Sequence, residues 1–502
     1  MAMVRKNKGA VAAGHPTTAA AAASILADGG NAFDAALAAL ATACVVEPAL
    51  ASLGGGGFLL AHRPDSEPLL IDFFAQTPKR RHKAGDVAFE PILADFGTAT
   101  QEFHVGLGAA AAPGVIPGLF HIHGRLGRLP LTRIVEPAIA AARDGVTVNP
   151  LQAYLFDILR PIFSYSVGAR AAFADGPGEG AALRNADLAD TLEALAQEGE
   201  ALYRAGELGR AVADLSRDQG GHLTMADIAD YRVVERRPLT LDYHGHRLLT
   251  NPPPSAGGIL IAFALRLLER RPPPDDAAGR LDHLARAMHQ TNKARVDSAM
   301  AADRLLDPAF LKAYAASVAD RPHTARGTTH ISVIDGAGDA AALTVSNGEG
   351  CGHVVPGTGI MLNNMLGEED LHPDGFDAWP ENSRISSMMA PSVLLDADGR
   401  ATALGSGGSN RLRTAILQVL LNMIDLGMAP EPAVTAPRIH YERGLLNVEG
   451  GFDDTTVEAL TAAYPNHQLW PRHNLFFGGT HVATCSGGGA GDPRRGGVAV
   501  AV

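Results

Sequence analysis

The sequence predicts a globular α/β protein that has enough apolar residues for a large core. Hydrophobic residues make up 46% of the 502 residues and charged residues 19%, which is typical of folded globular chains. A strand-like run after Thr328, a Gly-containing turn and a second run over residues 340–346 predict a β-hairpin. Ala- and Leu-rich segments bounded by Gly and Pro predict helices elsewhere. Length alone suggests two or three domains, although large single domains also occur.

The N-terminal part predicts a pair of consecutive helices. Residues 17–27 are rich in Ala and contain no helix breaker, and residues 35–45 form a second apolar run. A helix is expected to begin at a small polar residue and to end at Gly. The candidates for these boundaries are Thr17, Thr18, Gly29, Gly30, Asn31 and Asp34.

Four glycines at residues 54–57 precede an apolar strand-like run. A phosphate-binding loop would need a following helix with Lys and Ser or Thr, so we interpret these glycines as a site of close backbone packing. Residues 69–74 predict a buried strand. Further helices are predicted at 134–143, 188–198, 259–269 and 281–293, and another is predicted to begin near Arg413.

Charge and cysteine content exclude several classes of function. The net charge of −12 and the pI near 5.9 disfavour a nucleic-acid or anionic-membrane partner. The three cysteines lie far apart, so we expect neither a disulfide framework nor a metal site, and no cofactor is indicated. The N-terminus lacks the apolar core of a secretory signal, and no uninterrupted apolar run reaches the ~18 residues of a membrane span. These features predict a cytoplasmic protein.

The junction between Gly327 and Thr328 is the strongest candidate for chemistry. If the hairpin turns about Ala337, counting back along both strands places Thr328 opposite Ser346, with a second hydroxyl beside the first. A Thr hydroxyl becomes a nucleophile when a base takes its proton, and the residue's own amine is such a base once it is a chain terminus. An ordinary strand that begins with a β-branched Thr is the alternative.

Residues 328–335 resemble the start of the small subunit of γ-glutamyltranspeptidases, which are N-terminal-nucleophile hydrolases made as self-cleaving precursors. The resemblance extends in order through segments 29–36, 46–48, 54–58, 113–114, 252–258, 356–364 and 492–495. It implies a four-layer αββα sandwich assembled from residues 1–327 and 328–502 as one catalytic domain. It also implies a heterodimer of the two fragments, with further oligomerisation left open.

The resemblance implies roles for the residues around the junction. Cleavage between Gly327 and Thr328 would free Thr328 as the nucleophile and its amine as the base. Ser346 occupies the position of the family's Thr that hydrogen-bonds the nucleophile. Backbone N–H groups of Gly408 and Ser409 would form the oxyanion hole, although the pair Gly407 and Gly408 fits the pattern almost as well.

The resemblance is weaker where the family binds the substrate's amino-acid head. Ser386 and Ser387 match the family's Ser pair with one inserted residue, and the acid that binds the α-amine would be Glu368 or Glu369. The family's amide position holds Met365. Phe74 replaces the Arg that binds the α-carboxylate, which removes a bidentate, charge-assisted contact.

Three functions are therefore compared, and the family resemblance favours the first over the second. In the first, a γ-glutamyl hydrolase or transferase cleaves amides such as glutathione, and Arg80, Arg81 or Arg411 replaces the missing Arg. In the second, an acylase of the same family accepts acyl groups without an amino-acid head, for example glutaryl or β-lactam side-chain amides. The third is a non-catalytic binding module, against which the intact Gly327–Thr328 junction argues. The expected partner is a small-molecule amide, and water or an amino acid could accept its acyl group.

Overall fold

The structure is a computed structural model that describes residues 8–95, 100–173, 176–270, 273–297, 306, 327–368, 371–372, 375–376 and 378–502. Its helices are α1 Pro16–Ala27, α2 Ala32–Val46, α3 Val115–Leu126, α4 Leu131–Asp144, α5 Pro150–Ile158, α6 Arg160–Phe163, α7 Val167–Phe173, α8 Ala186–Glu198, α9 Ala201–Arg204, α10 Glu207–Asp218, α11 Met225–Ala229, α12 Gly257–Glu269, α13 Ala277–Asp297, α14 Arg411–Ile424, α15 Pro430–Thr435 and α16 Asp454–Ala463.

The strands are β1 Gly9–Ala13, β2 Gly56–His62, β3 Leu69–Phe73, β4 Glu90–Asp95, β5 Thr100–Val105, β6 Val146–Thr147, β7 Ala182–Leu183, β8 Val234–Arg236, β9 Leu239–Tyr243, β10 His246–Thr250, β11 Thr329–Asp335, β12 Ala340–Ser346, β13 Ser392–Leu395, β14 Ala401–Gly407, β15 Ile439–Glu442, β16 Leu445–Val448, β17 His467–Leu469, β18 Gly479–Thr484, β19 Gly489–Ala490 and β20 Val498–Ala501. Single 3₁₀ turns lie at Ala84–Asp86, Leu107–Ala109, Met365–Gly367, Leu475–Phe477 and Pro493–Arg495.

Two antiparallel sheets pack against each other. Within the described residues, one sheet has seven strands in the order β20-β1-β11-β12-β2-β3-β8, and the other has six in the order β19-β18-β14-β13-β10-β9. Strands β11 and β12 contact β14 across the interface, α1 and α2 contact the first sheet, and α12 and α14 contact the second. Strands β1, β2, β11 and β12 are buried along their whole length. The predicted α/β class is confirmed.

The predicted hairpin register is also confirmed. Thr329 pairs with Val345 and Ile334 with Ala340, so Thr328 and Ser346 face each other one step further along the ladder. On the other side of β12, Ser346 pairs with Gly56. A Cβ atom at the neighbouring Gly55 would lie 2.3 Å from the Ser346 carbonyl oxygen. The glycine run therefore provides close backbone packing beside Ser346, as interpreted from the sequence.

The first helix begins earlier than predicted. Its N-cap is His15, whose Nδ1 accepts a hydrogen bond from the Thr17 N–H at 3.1 Å, and Pro16 takes the first helical position, where a missing N–H costs no helical bond. Thr17 and Thr18 were therefore wrong as caps. Asn31 caps α2 and Asp34 completes a capping box, as expected from their residue types.

The predicted middle helices are present with slightly longer bounds, as α4, α8, α12 and α13. Within the described part of the chain, no helix is long and apolar enough to cross a membrane. Residues 321–326, which lead to the junction, and Glu369 lie outside the described residues.

Candidate active site

Two hydroxyl groups converge on the carbonyl of Gly327. Thr328 Oγ1 donates a hydrogen bond to the Gly327 oxygen at 2.7 Å, and Ser346 Oγ donates to the same oxygen at 2.7 Å. The Ser346 hydroxyl accepts in turn from the Gly348 N–H at 3.0 Å, which fixes its direction. Thr328 and Ser346 are both at least 95% buried. The arrangement places a candidate nucleophile and a polarising donor at one peptide bond.

Glu349 contacts the same peptide and was not found by the sequence reasoning. Its Oε1 accepts a hydrogen bond from the Gly327 N–H at 2.8 Å, and the side chain is buried. A glutamate three residues beyond Ser346 has no motif of its own. Glu349 lies beside the Gly327–Thr328 junction because the chain turns back after the end of β12.

The glycine-rich turn after β14 lies against the backbone of Thr328. A Cβ atom at Gly407 would lie 2.1 Å from the Thr328 carbonyl oxygen, and that oxygen also accepts from Arg495 Nη1 at 3.3 Å. Gly408 and Ser409 have φ angles of 119° and 51°, so both residues of this turn lie in the left-handed region that favours glycine. Either predicted pair of oxyanion donors is compatible with this geometry.

A small pocket, here called the acyl pocket, adjoins the Gly327–Thr328 peptide. It is lined by Phe74, Gly327, Thr328, Ser346, Met365, Glu368, Leu371, Ser387, Met388, Met389, Ser409 and Leu412. Most of these side chains are apolar. Among the described lining residues Glu368 is the single charged one, and none is Lys, Arg or His.

The acyl pocket receives one residue of the predicted Ser pair. Ser387 lines it, and its Oγ accepts from the Met389 N–H at 3.0 Å. Ser386 does not line it, and its hydroxyl donates to the Pro254 carbonyl at 2.9 Å. Met388, the residue after Ser387, also lines the pocket.

Glu368 stands over the turn that follows Ser346. A Cβ atom at Gly348 would lie 2.6 Å from Glu368 Oε1, so the carboxylate occupies space that a side chain would otherwise fill. Gly348 itself has a φ of 62°. Of the two acids considered, Glu368 is thus at the acyl pocket, and Glu369 is outside the described residues.

Phe74 lines the acyl pocket at the position where the resemblance expects an Arg. Its ring is 1% exposed and stacks on Phe58 with a centroid distance of 5.3 Å. Its carbonyl accepts from the Tyr231 hydroxyl at 2.6 Å and from the Arg384 guanidinium. An aromatic ring with this packing has no donor for a substrate carboxylate.

The arginines considered as replacements do not line the acyl pocket. The Arg81 guanidinium lies 5.5 Å from the centre of the Trp379 ring, and that of Arg411 lies 4.8 Å from the Phe476 ring. Arg80 is solvent-exposed. None of these three arginines is among the described residues that line the acyl pocket.

Arg384 is the arginine beside Phe74, and the sequence reasoning missed it. Its guanidinium also contacts the Tyr231 hydroxyl and the Arg232 carbonyl, and its Nε lies 3.5 Å from Asp72 Oδ1. These contacts hold the loop that carries Phe74 rather than present the guanidinium to the acyl pocket.

A buried polar layer supports β11 from the side of the second sheet. His330 Nδ1 lies 2.7 Å from Thr344 Oγ1 and its Nε2 lies 2.9 Å from Ser332 Oγ. Burial holds the pKa of His330 well below its usual value, with a smaller contribution from His481. Burial likewise lowers the pKa of His481 to about 4. Both rings are therefore neutral at pH 7.

Two further buried charges lie beside this strand. Burial lowers the pKa of the Arg495 guanidinium to about 10, although Asp492 and Glu47 oppose the shift. Burial raises the pKa of Glu47, against hydrogen bonds from Thr329 and Thr18. Because Glu47 accepts from the Thr329 hydroxyl at 2.8 Å, it holds the strand at the residue next to Thr328.

Comparison with known proteins identifies the family of this chain. The γ-glutamyltranspeptidase family model matches residues 18–502. The chain is 31% identical to an acylase ACY 1 proenzyme of Pseudomonas sp. (strain V22), over 91% of this chain and 86% of that protein. It is also 31% identical to the glutathione hydrolase proenzyme of Escherichia coli (strain K12), again over 91% and 86%.

A solved structure covers almost the whole chain. The crystal structure of cephalosporin acylase from Bacillus halodurans superimposes with a TM-score of 0.84 at 25% identity, over 99% of this chain and 96% of that one. The family thus includes relatives named for glutathione hydrolysis and relatives named as acylases. The chain belongs to the γ-glutamyltranspeptidase family of N-terminal-nucleophile hydrolases.

Proposed function

We propose that this chain cuts its own Gly327–Thr328 bond and then hydrolyses acyl amides whose acyl group carries no free carboxylate. The observation that carries the proposal is the lining of the acyl pocket, in which Phe74, Met365 and Met388 accompany one acid, Glu368. A buried carboxylate without a cationic partner costs several kcal/mol.

Self-cleavage would use the geometry at the junction. The Thr328 hydroxyl attacks the Gly327 carbonyl carbon, and its proton passes to the Thr328 nitrogen as the C–N bond breaks. Residues 1–327 are then held to Thr328 as an ester, which water opens to a Gly327 carboxylate and a free Thr328 hydroxyl and amine. The hydrogen bond from Ser346 to the Gly327 oxygen polarises the carbonyl under attack.

Turnover would repeat the same chemistry on an external amide. The Thr328 amine takes the hydroxyl proton, the hydroxyl attacks the substrate carbonyl, and the leaving amine departs with that proton. N–H groups of the turn at Gly408 and Ser409 stabilise the oxyanion, a contribution of about 3–4 kcal/mol for each donor. Water or an amine then accepts the acyl group from Thr328.

Under this proposal residues 1–327 and 328–502 remain together after cleavage. Strand β11, which follows the cut, pairs with β1 from the first fragment and with β12 from the second. Interleaving of this kind supports one αββα catalytic domain shared by both fragments, because their separation would break a central sheet.

The composition of the acyl pocket distinguishes the two candidate activities. γ-Glutamyl binding needs a cation for the α-carboxylate, and the described lining residues contain none. Glu368 would repel such a carboxylate and attract an amine on the acyl chain. The γ-glutamyl alternative is favoured by the same Glu368 and by Ser387, which suit the α-amine and part of the head group.

Four anilides that share the butanoyl skeleton test the proposal. γ-Glutamyl carries an amine and a carboxylate, 4-aminobutanoyl only the amine, glutaryl only the carboxylate, and butanoyl neither. We expect the cleaved enzyme to have its highest kcat/KM on 4-aminobutanoyl- or butanoyl-anilide. If the γ-glutamyl or glutaryl compound is the best substrate by tenfold or more, the acyl preference proposed here is wrong and the γ-glutamyl or carboxylate-binding alternative replaces it.

A further inference from the structure

Glu349 binds Gly327, the residue immediately before the proposed cleavage site. The carboxylate of this buried side chain accepts the Gly327 N–H at 2.8 Å. The two hydroxyl groups of Thr328 and Ser346 donate to the carbonyl of the same residue. Gly327 is therefore held by hydrogen bonds at both of its backbone polar groups.

The turn that carries Glu349 is itself fixed. The N–H groups of Glu349 and Gly350 donate to Asn364 Oδ1 at 2.9 and 3.3 Å, and Asn364 Nδ2 donates to the His104 carbonyl at 3.3 Å. Gly348 and Gly350, on either side of Glu349, have φ angles of 62° and 96°. A Cβ atom at Gly348 would lie 2.0 Å from Asn364 Oδ1, so this tight turn needs glycine there.

Gly327 needs such an anchor because glycine leaves the backbone free to rotate. A side chain cannot supply the restraint at this position, since a Cβ atom would lie 2.6 Å from the Gly348 oxygen and 2.8 Å from the Ala49 oxygen. Attack by Thr328 requires the Gly327 carbonyl to face the hydroxyl, and misorientation of reacting groups is costly. When the Gly327 N–H is held by a hydrogen bond, the backbone of Gly327 can rotate less, and the direction of its carbonyl is restricted.

We propose that Glu349 is a positioning residue for self-cleavage, which holds the Gly327 N–H so that the scissile carbonyl faces the Thr328 hydroxyl. The inference rests on the self-cleavage in the proposed function and extends it to a residue outside the catalytic motifs. Glu349 takes no proton and forms no covalent bond in this role.

Two variants of equal side-chain length separate anchoring from charge. Glu349→Gln keeps an oxygen that can accept the Gly327 N–H, whereas Glu349→Met keeps the length and replaces the oxygens by a thioether sulfur, which is only a weak acceptor. The first-order rate of conversion of full-length chain into fragments is measured on denaturing gels after purification of the precursor. We expect Glu349→Gln to cleave within about tenfold of the wild-type rate and Glu349→Met roughly 10²-fold more slowly.

Hydroxylamine identifies the step that is slowed. It opens esters, so it accelerates cleavage only where the Thr328 ester has already formed. We expect it to leave Glu349→Met slow, because the missing anchor acts before ester formation. If Glu349→Met does not fold, as judged by its thermal melting, Glu349→Asp replaces it. The Asp variant withdraws the acceptor by one methylene, and we expect it to cleave more slowly than Glu349→Gln.

The remaining outcomes contradict the proposal. If Glu349→Met or Glu349→Asp cleaves at the wild-type rate, Glu349 has no part in self-cleavage. The proposed function would be unaffected by that result. Rescue by hydroxylamine, or a Gln variant as slow as the Met variant, would show that Glu349 acts in ester opening or through its charge. A wild-type chain that never cleaves would instead contradict the proposed function itself and this inference with it.

Discussion

The two sides of the Gly327–Thr328 peptide differ in how closely they follow the family pattern. On the nucleophile side, Thr328, Ser346 and the glycine turn at Gly407 meet at hydrogen-bond or van der Waals distance. On the acyl side, Phe74 and Met365 stand where the resemblance expects side chains that bind an amino-acid head. The residues predicted to carry the reaction follow the family pattern, whereas Phe74 and Met365 depart from it beside the retained Glu368 and Ser387.

Under the proposed function, separate parts of this fold carry the reaction and the choice of acyl group. The nucleophile needs a fixed geometry, which buried strands and glycine turns provide. The acyl pocket is built by loops around Phe74, Glu368 and Ser387, and loop side chains change without disturbing the sheets. The following changes perturb one side at a time.

The largest effect is expected at Thr328. Thr328→Ala removes the hydroxyl that attacks both the scissile peptide and the substrate, so the chain should stay as one band on a denaturing gel. Amide hydrolysis should fall on the order of 10⁴-fold or more, as for loss of a nucleophile elsewhere. A Thr328→Ala chain that still splits into fragments at this bond would refute the assigned nucleophile.

Ser346 should have a smaller effect on the same side. Ser346→Ala removes one donor to the Gly327 oxygen and should slow self-cleavage and turnover by about 10²-fold. Ser346→Thr retains the hydroxyl and should restore most of both rates, and the exposed Ser486→Ala serves as a neutral control. Unchanged kcat and unchanged processing in Ser346→Ala would remove Ser346 from the site.

The buried polar layer under β11 should make the stability of the protein depend on pH. His481 has a folded pKa of about 4 against about 6.5 unfolded, so the unfolded state binds the proton more readily. Stability is therefore present above pH 6.5 and is lost as the pH falls from 6.5 towards 4. Between pH 7 and 5 this group should lower the free energy of unfolding by roughly 2 kcal/mol.

His481→Asn is the matched variant, because its side-chain oxygen can still accept the Asp492 N–H that His481 Nδ1 accepts at 3.1 Å. Urea unfolding at pH 7 and pH 5 should show a smaller loss in the variant than in the wild type. Equal losses in both proteins would mean that His481 is already protonated, or not buried, in the folded state.

The smallest effect is expected on the acyl side, at Phe74. Phe74→Arg should raise kcat/KM for γ-glutamyl-anilide by roughly tenfold, about 1.4 kcal/mol, because a guanidinium can pair with the α-carboxylate. Phe74→Leu is the control for loss of the ring stacked on Phe58. Absence of a gain, with wild-type activity unaffected by Arg80→Ala and Arg81→Ala, would show that position 74 is not the carboxylate-binding position.

The sequence predicted the hairpin and its register because a Gly-containing turn and a two-residue side-chain period leave few alternatives. That register was sufficient to place Ser346 opposite Thr328. The N-cap His15 was missed, because a His side chain is an uncommon cap and Thr17 and Thr18 offered the commoner residue type.

The acyl side was harder to predict because its residues come from loops distant in the chain. Arg384 and Phe74 are 310 residues apart, and no local pattern indicates their contact. Ser386 and Ser387 look equivalent in sequence, yet only Ser387 lines the acyl pocket, while the Ser386 hydroxyl donates to the Pro254 carbonyl. Glu349 was missed because its role depends on the turn at Gly348 and Gly350.

In the proposed reaction Thr328 is acylated by an acyl group that lacks a carboxylate, and intact-mass analysis identifies this acyl group. The cleaved enzyme is mixed with equal amounts of the four anilides, quenched in acid during turnover, and the fragment 328–502 is weighed and mapped. We predict an ester on Thr328 whose added mass is that of the 4-aminobutanoyl or butanoyl group. A predominant γ-glutamyl or glutaryl adduct would contradict the proposed acyl preference. An adduct on a residue other than Thr328 would contradict the proposed nucleophile.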